Sequence, residues 1–172
     1  PFQITTATFA VLTVIMLAYG AMQSWTGGVE YRVLTADYGD GAAAYAGGDY
    51  AAALREFEPL AEHGHAEAQA GLGRMYEKGH GLPRDYGKAM HWYRLAGEQG
   101  HAEAQYGVGM LFRNGLYGQQ DFIQAHVWFS LAAAQGHDAA TRRRDEIVRR
   151  MSDVQLAEAR RLVHSWQTKH GA

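Results

Sequence analysis

Residues 66–101 read AEAQAGLGRMYEKGHGLPRDYGKAMHWYRLAGEQGH, and residues 102–137 follow at once with AEAQYGVGMLFRNGLYGQQDFIQAHVWFSLAAAQGH. At a shift of 36 the two blocks are identical at fifteen positions, far too many for coincidence. Repetition at this period decides the fold class before any local pattern does. Ala66/Ala102 to Gln69/Gln105, Gly71/Gly107 and Gly73/Gly109 open the unit, while Gly79/Gly115 and Asp85/Asp121 divide it. Ala89/Ala125, Trp92/Trp128, Leu95/Leu131, Ala96/Ala132 and the triplets Gln99–His101 and Gln135–His137 close it. The register runs backwards as well. Asp49, Tyr50, Ala53, Phe57, Gly64 and His65 stand one shift before Asp85, Tyr86, Ala89, Tyr93, Gly100 and His101. This first unit reads as incomplete, because its turn AYAGGDY is shorter than MYEKGHGLPRDY.

Each unit reads as two helices. In the first, Ala68, Leu72, Met75 and Tyr76 fall on one face at helical spacing. Gly79 can take the left-handed conformation that ends a helix, and Pro83 cannot continue one. Asp85 is a fitting N-cap for the second helix, whose apolar stripe is Tyr86, Ala89, Met90, Tyr93 and Ala96. Gly100 stops that helix, and His101 leads into the next. Gly71, Gly73, Ala68 and Ala89 permit close approach of helices, with Tyr86, Trp92 and Tyr93 filling the larger gaps. The predicted repeat core is Leu72, Tyr76, Ala89, Trp92 and Tyr93, then Ala125, Trp128 and Phe129. One helix pair cannot bury both of its faces, whereas stacked pairs can, which is the physical reason for repetition.

The pattern G-x-G-x-P-x-D at Gly79–Asp85, then A-x-x-W-Y at Ala89–Tyr93, then A-x-x-x-G at Ala96–Gly100, resembles the Sel-one-like repeat (SLR), a 36-residue relative of the tetratricopeptide repeat. The second unit departs in its turn, NGLYGQQD, which has no proline and carries Tyr117 in place of the second glycine, so a reshaped loop is expected there. The resemblance implies an all-α protein, a right-handed α-solenoid of helix-turn-helix repeats over residues 36–137 with a concave face. It implies a protein-binding scaffold whose repeats hold no catalytic residue and no cofactor. Residues 138–172 are predicted to be capping helices. Ser152 and Gln155 form a capping-box pattern there, ahead of an apolar stripe at Leu156, Ala159, Val163 and Trp166.

Ile4 to Trp25 is a run of 22 residues without a charge. As a helix it spans roughly 33 Å, enough for a hydrocarbon core of ~30 Å. A single membrane-crossing helix over residues 1–25 is expected, with Ile4, Phe9, Val11, Leu12, Ile15, Leu17, Tyr19 and Trp25 as its lipid-facing and interfacial residues and 26–35 as a linker. Glu30, Asp37, Asp40 and Asp49 against Arg32 place the part that follows on the extracytoplasmic side, since basic residues favour the cytoplasm. The alternative is a signal peptide, for which Ala18-Tyr19-Gly20 has the small-x-small form. That reading makes the rest a soluble secreted or periplasmic adaptor.

The net charge is −2 and there is no cysteine, which excludes disulfides, thiolate nucleophiles and cysteine-bound metal. Charge is nevertheless uneven. Arg142 to Lys169 carries eight basic residues against four acids, so that segment is +4 and the remainder −6. Arg142, Arg143, Arg144, Arg149 and Arg150 are the candidate partner-binding residues, set for an acidic protein or membrane surface. The bland reading is a solvated helix face laced with Asp145 and Glu146. His65, His101 and His137 recur every 36 residues, but copies one repeat apart cannot share a metal at ~2.0–2.1 Å, and each stands at or beside an N-cap. GLG and GVG lie inside helices and lack the third glycine of a phosphate loop. The four serines, Ser24, Ser130, Ser152 and Ser165, form no nucleophile elbow. The expectation is therefore no enzyme, no nucleic-acid partner and no small-molecule substrate. What remains is a membrane-anchored scaffold whose partners are other protein subunits of a membrane complex, a respiratory-chain complex being the first to consider.

Overall fold

The computed structural model describes residues 36–170. Eight helices follow one another there: α1 (Tyr38–Ala46), α2 (Tyr50–Glu62), α3 (Ala66–Lys78), α4 (Tyr86–Glu98), α5 (Ala102–Asn114), α6 (Phe122–Ala134), α7 (Asp138–Val148) and α8 (Asp153–His170). No strand occurs among the described residues. The expected membrane helix over 1–25 and the linker over 26–35 lie outside them. Among the described residues no helix is long and apolar enough to cross a membrane.

Two kinds of cap start these helices. Asp49, Asp85 and Asp121 open α2, α4 and α6, each carboxylate accepting the N–H three residues on, at 3.0, 3.0 and 2.9 Å. His65, His101 and His137 open α3, α5 and α7. Their Nδ1 atoms accept from the backbone N–H of Ala68, Ala104 and Ala140 at 3.4, 3.2 and 3.1 Å. The recurring histidine is thus the cap itself, satisfying one of the orphan donors of a helix start. Gly79 and Gly115 end α3 and α5 with φ of +72° and +65°, which a side chain would strain. Before α8, the Ser152 N–H donates to Gln155 Oε1 at 2.9 Å and the Gln155 N–H to Ser152 Oγ at 3.3 Å, a reciprocal capping box.

The pairs stack through rings seated on bare backbone. Phe57, Tyr93 and Phe129 stand 36 residues apart on α2, α4 and α6, and all are buried. A methyl carbon built at Gly73 on α3 would meet the Tyr93 ring at 2.5 Å, and one at Gly107 on α5 would meet the same ring at 2.9 Å. Gly41 on α1 and Gly71 on α3 enclose Phe57 at 2.7 and 2.9 Å in the same way, and Gly109 on α5 faces Phe129 at 2.5 Å. Gly39-x-Gly41 is therefore the counterpart of Gly71-x-Gly73 and Gly107-x-Gly109. The first unit, expected to be incomplete, has both helices and lacks only residues of the turn.

A buried polar clasp joins the same pairs. Gln105, which has no exposed surface, donates from Nε2 to the Gly97 carbonyl at the end of α4 (2.9 Å) and accepts from Gln135 Nε2 at 2.7 Å. Gln69 repeats this one unit earlier, with the Ala61 carbonyl at 3.0 Å and Gln99 at 2.7 Å. Side chains buried with every partner in place add directional register that apolar packing lacks.

Helix α8 lies on α6. Its Ala159 is fully buried, and Leu162, Val163 and Trp166 pack on the core cluster that contains Trp128. Trp128 is 7 % exposed, while Trp92, one repeat earlier, is only partly buried against the neighbouring cluster. Removing a buried tryptophan leaves an unfilled cavity and typically destabilises by ~3–5 kcal/mol. Trp128→Ala is expected to reach that range and Trp92→Ala to fall below it. Urea unfolding of both variants tests this order, and equal losses would show that α8 adds nothing at Trp128.

Candidate protein-docking surface

The first helices of successive pairs, α1, α3 and α5, touch one another, and the second helices α2, α4 and α6 approach each other less closely. A stack of that kind curves toward the first helices, so α1, α3, α5 and α7 carry the concave face. Its polar groups are knitted across helices. Glu103 at the start of α5 accepts from Arg74 Nη2 of α3 at 3.5 Å, and its other oxygen lies 2.9 Å from His137 Nε2 at the cap of α7. Glu146 of α7 accepts from Arg113 of α5 at 2.6 Å and from Arg143 at 2.8 Å. Hydrogen bonds from Arg143 and Arg113 hold the Glu146 carboxyl below the usual range. Arg74, Glu103, Arg143 and Glu146 are exposed enough that the Arg74–Glu103 and Arg143–Glu146 pairs contribute little to stability, whereas Arg113 and His137 are largely buried.

Aromatic rings line the same face at a fixed position. Tyr38 of α1 stacks on Phe57 and on the cap His65, with centroids 5.6 and 5.5 Å apart. Tyr106 of α5 stacks on the cap His137 (4.8 Å) and lies tilted against Phe129 (5.7 Å). In α3 the corresponding residue is Ala70, and a cavity of about 210 Å³ opens beside it. In the loop after α3, His80 stacks on Tyr50 at the start of α2, at 4.3 Å, and its Nδ1 lies 3.0 Å from the hydroxyl of Tyr45 in α1. The loop that replaces this one in the next unit leaves Leu116 and Tyr117 exposed, the reshaping expected from its missing proline.

The five arginines singled out from sequence have different surroundings. Arg143 pairs with Glu146, Arg144 pairs with Asp145 at 2.9 Å, and Arg150 lies over the Phe122 ring at 5.5 Å. Arg142 and Arg149 are exposed, without a partner among the described residues. Of the predicted repeat core, Leu72, Ala89, Tyr93, Ala125, Trp128 and Phe129 are buried, and Tyr76 and Trp92 partly so. Sequence reasoning missed two features, the Gln69 and Gln105 clasps and the alternation Tyr38, Ala70, Tyr106. Identity of Gln69/Gln105 and Gln99/Gln135 at the shift of 36 was the available signal for the first. No three of His, Asp and Glu come together to hold a metal among the described residues.

Residues 66–101 and 102–137 each match the model of the Sel1 repeat family. The two units are thus similar to Sel1 repeats. Among solved structures the chain is similar to a protective antigen present in uropathogenic Escherichia coli strains displaying an SLR fold, with 25 % identity and a TM-score of 0.72. That match covers 89 % of this chain and 32 % of the antigen. It is also similar to a Sel1 repeat protein from Oxalobacter formigenes, at 27 % identity and a TM-score of 0.62, over 64 % of this chain and 46 % of that one. The chain thus spans less than half of either structure. No curated protein shows significant similarity to it. Among the described residues the stacked units make an all-helical solenoid like those of these structures.

The His101 cap and the buried His126 make this helical array sensitive to acid. A cap needs the lone pair of a neutral Nδ1, which protonation removes. Burial, the largest influence, pushes the His101 pKa down, partly opposed by Glu67 and Glu103. Burial, then Arg144 and Arg160, push down that of His126, whose ring is buried in α6. Both depressed values favour the neutral ring in the folded state. Their contribution is complete above the unfolded value of ~6.5 and is lost as pH falls through the lower folded values. Thermal melts between pH 7.5 and pH 5 are expected to drop, and to drop less when His101→Asn, which keeps a capping oxygen, is combined with His126→Gln. An unchanged slope in the double variant would refute this.

Proposed function

We propose that this protein is a membrane-anchored protein–protein interaction scaffold, working as an accessory subunit of a membrane complex, with a respiratory-chain complex as the first class of partner to examine. The observation that carries the scaffold reading is the concave face of stacked Sel1 helices. It presents rings, caps and charged groups from four successive helices on one continuous surface, the geometry a protein segment needs to be gripped along its length. The anchor rests on the uncharged run Ile4–Trp25. The acidic residues after it favour the extracytoplasmic side for the solenoid. Arg142 and Arg149 extend the surface with a salt-sensitive contact for acidic groups.

Non-enzymatic action is part of this reading. The histidines at repeat positions serve as caps, the buried glutamines hold carbonyls, and the buried tyrosine Tyr93 gives its hydroxyl to Glu77 at 2.9 Å. Each of these polar groups has a structural task.

The test replaces residues 1–25 by a cleavable signal and compares the proteins that co-purify in mild detergent. Loss of the membrane partner from the truncated form is expected, and undiminished recovery would overturn the anchored reading in favour of a soluble adaptor. Mass spectrometry of the mature N-terminus gives the same distinction independently, since cleavage after Gly20 would remove the span.

A further inference from the structure

The concave face has two filled seats and one empty one. At Tyr38 and at Tyr106 a ring lies between the aromatic residue of its own repeat and the histidine that caps the next helix. In the repeat between them the aromatic residue Tyr93 and the cap His101 are both present, but Ala70 supplies no ring. His101 has no ring against it among the described residues, while its Nδ1 is engaged in the cap. A cavity of about 210 Å³ beside Ala70 is lined by Tyr38, Tyr45, Phe57, Ala70, Arg74 and His101, among others, and reaches the His101 ring but not Tyr93, which is buried. That volume is below the ~300–1,000 Å³ of sites for drug-sized ligands, and it suits a single side chain.

We propose that this cavity receives one aromatic side chain, a tyrosine or phenylalanine, from the protein segment that binds the concave face, its ring covering His101 as Tyr38 and Tyr106 cover His65 and His137 in the flanking repeats. The inference rests on the scaffold reading given above and specifies where the partner is held. The molecule itself argues for an aromatic occupant over an aliphatic one. The cap imidazole is covered by a tyrosine ring in both flanking repeats, and His101, which lines the cavity, is the one left uncovered among the described residues. Arg74 sits at the rim with its guanidinium 6.0 Å from the Tyr45 centroid, so it can lie against a second ring face. Imidazole and phenol faces stack, and isobutyl groups gain nothing from that geometry.

The experiment titrates the full chain with N-acetyl-tyrosinamide and N-acetyl-leucinamide and follows the resonances of Ala70, Gly71 and His101 by NMR. Saturable shifts at these residues are expected, with the tyrosine probe binding ~2–10-fold tighter than the leucine probe. Ala70→Tyr places the chain's own ring in the seat. It should abolish the shifts while melting no lower than the parent. His101→Asn keeps a capping group without the ring and should weaken the tyrosine probe alone, which guards against a misfolded Ala70→Tyr chain. No saturable shift at His101, equal binding of the two probes, or shifts that persist in a folded Ala70→Tyr chain would each overturn the proposal. Co-purification with Ala70→Tyr separates it from the scaffold reading. A partner still recovered in full leaves the scaffold standing and removes the seat, whereas tyrosine-specific shifts with no protein partner recovered from the parent leave the seat and remove the scaffold.

Discussion

Tyr93 lies between two helices that have no side chain where its ring meets them. Gly73 and Gly107 each leave room that a methyl group would fill, at 2.5 and 2.9 Å from ring atoms. The ring therefore touches backbone on both sides, and α3 and α5 come as close to α4 as an aromatic thickness allows. Glycine inside a helix is unfavourable by about 1 kcal/mol relative to alanine, so its presence at Gly41, Gly71, Gly73, Gly107 and Gly109 needs a compensating gain. Dense contact between ring and backbone is that gain, because interiors are packed like crystals and tolerate few voids.

From this constraint the rest of the solenoid follows. A ring with a bare helix on each side fixes the spacing between successive pairs, and the Gln69 and Gln105 clasps then set which turn of one helix faces which carbonyl of the next. The array ends where the constraint ends. One repeat beyond Gly107 and Gly109 stand Arg143 and Asp145 on α7, which cannot lie against a further ring. Phe129 is instead enclosed by Ala140 and Ile147, and α8 turns back onto α6. Spacing set in the core also sets the concave face, since it carries the caps His65, His101 and His137, the first and last of them under Tyr38 and Tyr106. The seat at Ala70 exists because one unit lacks a ring that the framework still makes room for.

Most of the fold was legible because its determinants are periodic. The 36-residue shift, the Asp85 and Asp121 caps, the Gly79 stop and the Ser152–Gln155 box are local signals whose physical meaning does not depend on context, and the structure places helices where they indicate. The completeness of the first unit was hidden by its shorter turn, which moves Gly39-x-Gly41 out of the 36-residue register although Gly41 keeps its place against the Phe57 ring. The docking surface was less legible. Charge density drew attention to Arg142–Arg150, yet Arg143 and Arg144 are spent on Glu146 and Asp145, pairings that depend on which face of α7 is turned inward. The empty seat at Ala70 involves residues from α1, α3 and the cap of α5, and becomes visible only when three units are superposed in space. The apolar run Ile4–Trp25 lies outside the described residues, so its role rests on hydropathy and length.

The central claim is that the helix glycines are there to clear an aromatic ring. The direct measurement is the unfolding free energy of Gly109→Ala and Gly47→Ala, with Gly109→Ala repeated in a Phe129→Leu background. Gly47 has helical dihedrals, and a methyl group there meets only ordinary contacts, at 3.4 Å. The account predicts that Gly47→Ala leaves stability unchanged or raises it by up to ~1 kcal/mol. It predicts that Gly109→Ala lowers stability by ~1–3 kcal/mol through overpacking against the ring, and that this loss shrinks once Phe129 is replaced. If Gly109→Ala stabilises the protein as Gly47→Ala does, or if its effect is the same with and without the Phe129 ring, the claim is wrong.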